Sequence, residues 1–334
     1  MALIVQKFGG TSVADDRARA CLVEKVREAR SRGDEVVLVV SAMGRKGAPY
    51  ATDTLLGLLS EISSAPDPRT SDLLVSTGEL ISACLLSALL VAEGIPSEPM
   101  TAYTAGIRAE GPAGDATPTS VDAAAIRKRL KSGLVPVIAG FQGIDPDGGI
   151  VTLGRGGSDT SAVAVGVGLG ADFVDIYTDV PGVAKADPRV AKDAPYMEFL
   201  DYASMFRLAK HGARVLHDRS ALLAQKGGAL VRVRSTFDDG PGTLIGPEKT
   251  LDAQGRQRVT PDFIGLASTS CPDGRKRLTA VFARGKRKPG LGSAAAELSG
   301  ATTELHPEDP DAVSFLCAES ESGNLTRALL KAMH

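Results

Sequence analysis

Uninterrupted apolar runs, each bounded by charged or small residues, narrow the folds open to this chain more than any other feature. Residues 35–41 (EVVLVVS), 135–139 (VPVIA) and 173–177 (FVDIY) are of this kind. A run of that length has the reach of one strand and leaves no polar face for water, so it must be covered on both sides. Residues 3–6 form a shorter strand of the same type, and residues 231–234 a more alternating one. Helical segments lie between them. Buried strands alternating with amphipathic helices predict an α/β fold with a largely parallel central sheet, helices on both faces, in three layers. In such folds ligands collect at the carboxyl ends of the strands.

The chain has 334 residues, more than the roughly 250–300 that one core serves, so two domains are expected. Asp239, Gly240, Pro241 and Gly242 mark a turn, and residues 248–260 are polar without period. The division is therefore drawn as 1–248 and 262–334. In the second part, residues 263–267, 278–283 and 312–318 read as strands and residues 292–298 and 325–333 as helices, a small α+β module. Hydrophobic residues at 43% and charged residues at 23% are ordinary for a folded soluble protein.

A net charge of -2 with scattered basic residues gives no footprint for nucleic acid or an anionic membrane. The basic group Arg284, Lys286, Arg287 and Lys288 reads as a solvated loop. No apolar run approaches the roughly 20 residues that span a bilayer, and MALIVQKFGG enters a strand without a charged leader, which points to the cytoplasm. Cys21, Cys84, Cys271 and Cys317 form no CxxC pair, and His211, His217, His306 and His334 lack ligand spacing. No protein-held metal is expected.

Four motifs carry chemistry. In KFGGTS, residues 7–12, two glycines let the backbone approach an anion, a following helix N-terminus offers N–H groups, and Lys7 supplies positive charge for a transferring phosphoryl group. A glycine pair alone is weak evidence, and the spacing is not that of GxxxxGK[ST]. In TLGRGGSDTSA, residues 152–162, Arg155 suits a bidentate grip on a carboxylate, Gly156 and Gly157 suit close backbone approach, and Ser158 and Asp159 are placed to cap a helix. In YTDVPGVAKADPR, residues 177–189, Thr178 and Asp179 end a buried strand, and Asp187, Pro188 and Arg189 form a turn with its charge outward. In STGELIS, residues 76–82, Glu79 at a helix start would meet a substrate ammonium or serve the helix dipole.

With these motifs in this order, the sequence resembles the aspartate kinases of the amino acid kinase family, from its start to about Gly246. VQKFGGTSV, VSAMGRKGAPYATDTLL, GFQGIDPDGGIVTLGRGGSDTSA, and GARVLHDRS followed by VRVRSTF carry the likeness. The resemblance implies ATP-dependent phosphorylation of L-aspartate to 4-phospho-L-aspartate, with Mg²⁺ bridging the phosphates. It places Lys7, Phe8, Gly9 and Gly10 around the transferring phosphate, with Lys7, Asp159 and Asp179 in catalytic roles. Ser41, Thr52, Glu79, Arg155, Gly156, Gly157 and Ser158 would line the amino acid site. Thr178, Asp179, Ala184, Asp187, Arg189 and Arg214 would face the nucleotide. A homodimer is implied as well.

Several positions depart from the family pattern. Pro181 stands where Asp is common, Ala184 and Lys185 replace a larger residue and Thr, Arg214 replaces Lys, and Asp218 follows His217 where Pro is frequent. The segment KRLTAVFARGKRKPGLGSAAAELS resembles the first half of an ACT module, with Pro289 and Gly290 at its ligand-binding turn, and no second copy follows. Two rivals stay open: a family kinase acting on a related amino acid, and a catalytically weakened subunit that binds an amino acid and controls a partner.

Overall fold

A computed structural model of the chain describes residues 1–288 and 301–333. β1 (Leu3–Phe8) is followed by α1 (Asp16–Ser31) and β2 (Glu35–Val40), then by α2 (Thr52–Ile62), α3 (Pro68–Ala92) and β3 (Ser97–Met100). Next come β4 (Ile107–Glu110), β5 (Thr117–Val121), α4 (Ala124–Lys131), β6 (Val135–Ala139), β7 (Gln142–Ile144) and β8 (Ile150–Thr152). α5 (Gly157–Leu169), β9 (Phe173–Thr178), β10 (Phe199–Asp201), α6 (Tyr202–Lys210), α7 (Asp218–Gly227), β11 (Val231–Ser235) and β12 (Thr243–Gly246) follow. β13 (Phe263–Ser270), β14 (Lys276–Phe282), β15 (Thr302–His306), β16 (Asp309–Cys317) and α8 (Glu319–Ala332) complete the chain.

Two compact units emerge: Met1–Pro181 with Leu223–Gly240, and Gly182–Leu222 with Pro241–His334. In the first, strands run in the order β11-β9-β1-β2-β6-β3, and every neighbouring pair is parallel. Strand alternation assigns the faces. Phe8, Val36, Leu38, Val40, Val135, Val137 and Ala139 pack with Leu22, Val23 and Val26 of α1 and Ala83, Leu86 and Leu90 of α3 in one core. The opposite face, with Val5 and Val174, meets α5, where a Cβ on Gly166 would lie 2.3 Å from Val174 Cγ2. This is a parallel sheet between two helical layers, as expected. Each fully buried Val or Leu contributes roughly 1.5–3 kcal/mol. The same alternation puts Gln6 toward α1, where its Nε2 donates to Lys25 O at 3.5 Å, and Lys7 toward α5. A small mixed sheet, β5-β4-β7-β8, belongs to the same unit.

The second unit holds an antiparallel sheet, β13-β14-β16-β15, packed against α8 through Phe263, Leu278, Phe315, Leu325 and Leu329. Ala186, Ala191 and Ala194 are buried in that same core. The sequence reading draws a single cut between 248 and 262; the compact units are discontinuous because this earlier loop packs with the C-terminal sheet. Pro289, Gly290 and the helix expected at residues 292–298 lie outside the described residues.

Three local expectations are corrected. KFGGTS runs into a single 3-10 turn, Gly10–Ser12, and α1 starts only at Asp16, where the Asp15 side chain accepts from Ala18 N at 2.8 Å. Glu79 sits in the middle of α3, because Asp67 caps that helix by accepting from Thr70 N at 3.0 Å and Pro68 opens it. Gly78 is tolerated inside the helix for a steric reason: a Cβ there would lie 2.6 Å from the Tyr50 carbonyl oxygen. Finally, α3 is long and apolar enough to cross a membrane by length and composition, although the sequence reading found no such run; half of that stretch is buried within the fold.

Candidate active site

The carboxyl ends of β1, β2 and β6 open on a cavity of about 450 Å³. Lys7, Gly10, Ser41, Thr52, Glu79, Arg155, Gly156, Gly157, Ser158 and Asp159 line it. Residues as far apart in sequence as Lys7 and Asp159 thus meet at one strand-end crevice, where a parallel sheet collects its loops.

Lys7 is 9% exposed, and its Nζ lies 2.6 Å from Asp159 Oδ1, a close ion pair off hydrogen-bond alignment. Alternation along β1 explains the pairing, since α5 brings Asp159 to the face on which Lys7 falls. Beside the lysine, Gly10 is a steric requirement: a Cβ would lie 2.7 Å from Gly44 O and 2.8 Å from Ala42 O. Gly9 has more room, with Lys7 Nζ 3.4 Å from its would-be Cβ.

Glu79 is the electrostatic anomaly of the cavity. It is 2% exposed, accepts from Ala42 N through Oε1 at 3.1 Å, and has no partner at Oε2. Burial is the main cause that pushes its pKa up to about 8, against the opposing pull of the Ala42 N–H. An unpaired buried carboxylate beside a cavity is a receptor for a cation.

The Arg155 loop forms the opposite rim. Gly154 and Gly156 both take φ +68°, the left-handed region. Gly156 is the N-cap of α5 and no side chain caps that helix. Ser158 and Asp159, expected as caps, lie instead in the first helical turn, because the left-handed glycine already turns the chain into α5. Gly157 N donates to Gly154 O at 3.0 Å, which leaves the N–H groups of Ser158 and Asp159 to offer to an anion. Arg155 is exposed and carries no ion pair or hydrogen bond of its own among the described residues.

Of the five lining residues not singled out from sequence, Ala42, Gly44, Asp53, Phe141 and Gly154, two carry distinctive features. Asp53 lies in the first turn of α2, next to Thr52. Phe141 has φ +68°, the one positive φ outside glycine among the described residues. Its N–H donates to Ser161 Oγ at 2.9 Å and its carbonyl accepts from Leu153 N at 2.9 Å, which holds it in a conformation that costs about 1–2 kcal/mol. No local pattern signals that backbone.

Other expected residues lie outside the cavity lining. Phe8 points into the core and stacks on Tyr177, ring centroids 4.6 Å apart. Thr178 ends β9, and Asp179 accepts from Arg45 at 3.1 Å and from Thr178 Oγ1 at 3.3 Å. Ala184, Asp187, Arg189 and Arg214 belong to the second unit. There Arg189 is exposed, and its Nη2 donates to Asp187 Oδ2 at 2.7 Å, since two residues apart in a turn the pair closes on itself. This hydrogen bond holds the Asp187 carboxyl below the usual range.

Residues 2–235 match the sequence model of the amino acid kinase family. Aspartokinase 1 of Bacillus subtilis is 44% identical over 245 residues, covering 73% of this chain and 61% of that protein. The aspartokinase of Pseudomonas aeruginosa is 42% identical over 267 residues, covering 80% and 63%. The chain thus spans about three fifths of the length of the curated relatives it matches. Among solved structures, aspartate kinase from Synechocystis is 32% identical, with a TM-score of 0.65 over 98% of this chain and 54% of that one. E. coli aspartokinase III, solved with aspartate and ADP, has a TM-score of 0.78 at 22% identity over 98% and 99%, a likeness of fold.

Proposed function

Because the chain belongs to the amino acid kinase family, we propose that it transfers the terminal phosphoryl group of ATP to the side-chain carboxylate of L-aspartate, giving 4-phospho-L-aspartate and ADP. One observation carries the reading: a single cavity holds a buried carboxylate with a free oxygen, an unpaired guanidinium at its rim, and a lysine beside a glycine turn. Glu79 meets the α-ammonium, Arg155 the α-carboxylate, and the substrate's second carboxylate is directed toward Lys7. The names of the relatives support the same substrate.

In this reading a substrate carboxylate oxygen bonds to the γ-phosphorus as the bond to the bridging oxygen breaks, and ADP leaves with that electron pair. The nucleophile is already ionised, so no general base is needed. The obstacle is the approach of two anions, which positioning and cationic charge overcome. Lys7, Gly9 and Gly10 hold the transferring group, with Phe8 contributing backbone. The first turn of α5, with Ser158 and Asp159, borders it. Ser41, Thr52, Gly156 and Gly157 shape the amino acid side. Thr178, Asp179, Ala184, Asp187, Arg189 and Arg214 are assigned to the nucleotide. No group of three His, Cys, Asp or Glu side chains suited to a metal occurs among the described residues, so Mg²⁺ is taken to ride on the nucleotide's phosphates, where it would offset their charge. Residues 1–248 are assigned the catalytic role and residues 262–334 that of a single reduced ACT-like module.

The test is hydroxylamine trapping of the acyl phosphate with ATP and Mg²⁺. Aspartate is expected to give the hydroxamate, with glutamate and a no-substrate control giving none. Absence of product with aspartate, or more product with glutamate, overturns the assignment.

A cytoplasmic homodimer is part of the proposal. The four thiols are free, as suits a reducing compartment. Leu73, Cys84, Leu85 and Val91 are exposed on α3, and from Leu73 to Ala92 the buried Glu79 is its only Asp, Glu, Lys, Arg or His. A charge-free helical face suits a two-fold contact with its own copy. Sedimentation equilibrium is expected to give a dimer that Leu85→Glu weakens by about tenfold or more; a monomeric wild-type chain refutes this.

A further inference from the structure

We propose that Asp72 is a positioning residue for the substrate clamp: its buried carboxylate ties the Arg155 loop to the same helix that carries Glu79. The inference rests on the aspartate reading above and adds to it the device that sets the spacing between the two recognition groups.

Asp72 is 2% exposed and does not line the site cavity. Its Oδ2 accepts from Gly114 N at 2.9 Å and from Thr152 N at 2.9 Å, and its Oδ1 accepts from Thr152 Oγ1 at 2.6 Å. Two amides and a hydroxyl, rather than a cation, meet the charge. Such charge-assisted bonds are the strong ones and fix the geometry of whatever donates them. Both donors flank the clamp. Thr152 ends β8, three residues before Arg155. Gly114 lies in the turn that walls Gly154: a Cβ on Gly154 would lie 2.7 Å from Asp115 Oδ1 and 3.2 Å from Gly114 O. Ala116 N donates to Thr152 O at 3.0 Å, joining turn and strand.

Arg155 has no internal partner for its guanidinium, so its position follows from its backbone alone, and that backbone hangs on Asp72. On the helix, Asp72 and Glu79 are seven residues apart, on one face and about 10.5 Å apart along the axis. Between them in sequence, the Ser76 backbone carbonyl accepts from Gln142 Nε2 at 3.1 Å, which fastens the strand beside Phe141 to α3 as well. α3 therefore serves as a ruler, holding the ammonium receptor directly and the carboxylate receptor through Asp72.

The test is steady-state kinetics on the full chain with Asp72→Asn, Thr152→Val, Arg155→Ala and the Asp72→Asn/Arg155→Ala double variant. Asp72→Asn keeps an oxygen on the two N–H donors but removes the charge and turns its NH2 toward Thr152 Oγ1, which then has to accept, and is expected to raise the aspartate KM about fivefold while kcat and the ATP KM stay within about twofold. Thr152→Val removes only the hydroxyl bond and is expected to raise the aspartate KM about threefold. On the Arg155→Ala background, Asp72→Asn is expected to add nothing, since the group it positions is gone. A fall in kcat at unchanged aspartate KM, or independent multiplication of the two effects, overturns the inference. If Asp72→Asn fails to fold, Thr152→Val decides, and an unchanged aspartate KM refutes the role. Wild-type chain that makes no aspartyl hydroxamate sinks the parent reading and this one with it; active wild type with the wrong variant profile sinks this one alone.

Discussion

Lys7→Ala is expected to lower turnover at saturating ATP and aspartate by on the order of 10³-fold, with both substrates still bound. The lysine ammonium is the protein's own cation beside the glycine turn, and its removal does more than subtract a positive charge. Asp159, now unpaired, adds repulsion toward both incoming anions. Stability should fall by about 1–3 kcal/mol, less than for an enclosed pair because the cavity admits water. Lys7→Ala/Asp159→Asn separates the two effects: it should recover much of the melting temperature and little of the turnover. ADP release and thermal melts on the three proteins check this. Turnover of Lys7→Ala within tenfold of wild type would remove Lys7 from the mechanism.

Glu79→Gln should give the opposite pairing, a more stable protein that scarcely recognises its substrate. Burial raises the Glu79 pKa from 4.5 to about 8. Below about pH 4.5 the carboxyl is protonated whether the chain is folded or unfolded, and its contribution is fully present. As pH rises toward 8 the unfolded chain releases the proton that the folded chain keeps, so stability is lost across that window. At pH 7 the loss is about 3 kcal/mol. Glutamine has no proton to lose, so its melting temperature should exceed that of wild type by roughly 5 °C or more at pH 8 and match it near pH 4.5. Aspartate affinity should fall about 100-fold, because only an ionised carboxylate can receive the ammonium. For the same reason wild-type affinity should strengthen with pH up to about 8, and the variant should show no such rise. Calorimetric titration at several pH values reads both; a pH-independent wild-type affinity contradicts the assignment of Glu79.

The central strands were legible because each is an apolar run that only a doubly covered position accommodates. Residues 35–41, 135–139 and 173–177 correspond to β2, β6 and β9 within a residue at each end. β4, β5, β7 and β8 were not: each has three to five residues, and sequences such as TPTSV carry no alternation that separates them from loop. β15, TTELH, is largely exposed and fails for the same reason. Within the site, Lys7, Arg155 and Asp159 stood out as charges in glycine-rich loops. Asp72 and Phe141 did not, because a carboxylate bonded to distant amides and a left-handed phenylalanine are defined by tertiary neighbours. Glu79 is expected at a helix start and lies mid-helix, because the Gly78 before it sits inside α3, where it admits the Tyr50 carbonyl.

The loop holding Ala184, Asp187 and Arg189 decides how the chain can be dissected. Its alanines, Ala186, Ala191 and Ala194, are interior residues of the C-terminal sheet, and Leu266 N donates to Lys185 O at 2.7 Å. A scissor placed at residue 248 would strip those alanines of their cover and leave that carbonyl without its donor. Modularity along the chain and modularity in space are here two different partitions, and only the second respects what each residue is packed against.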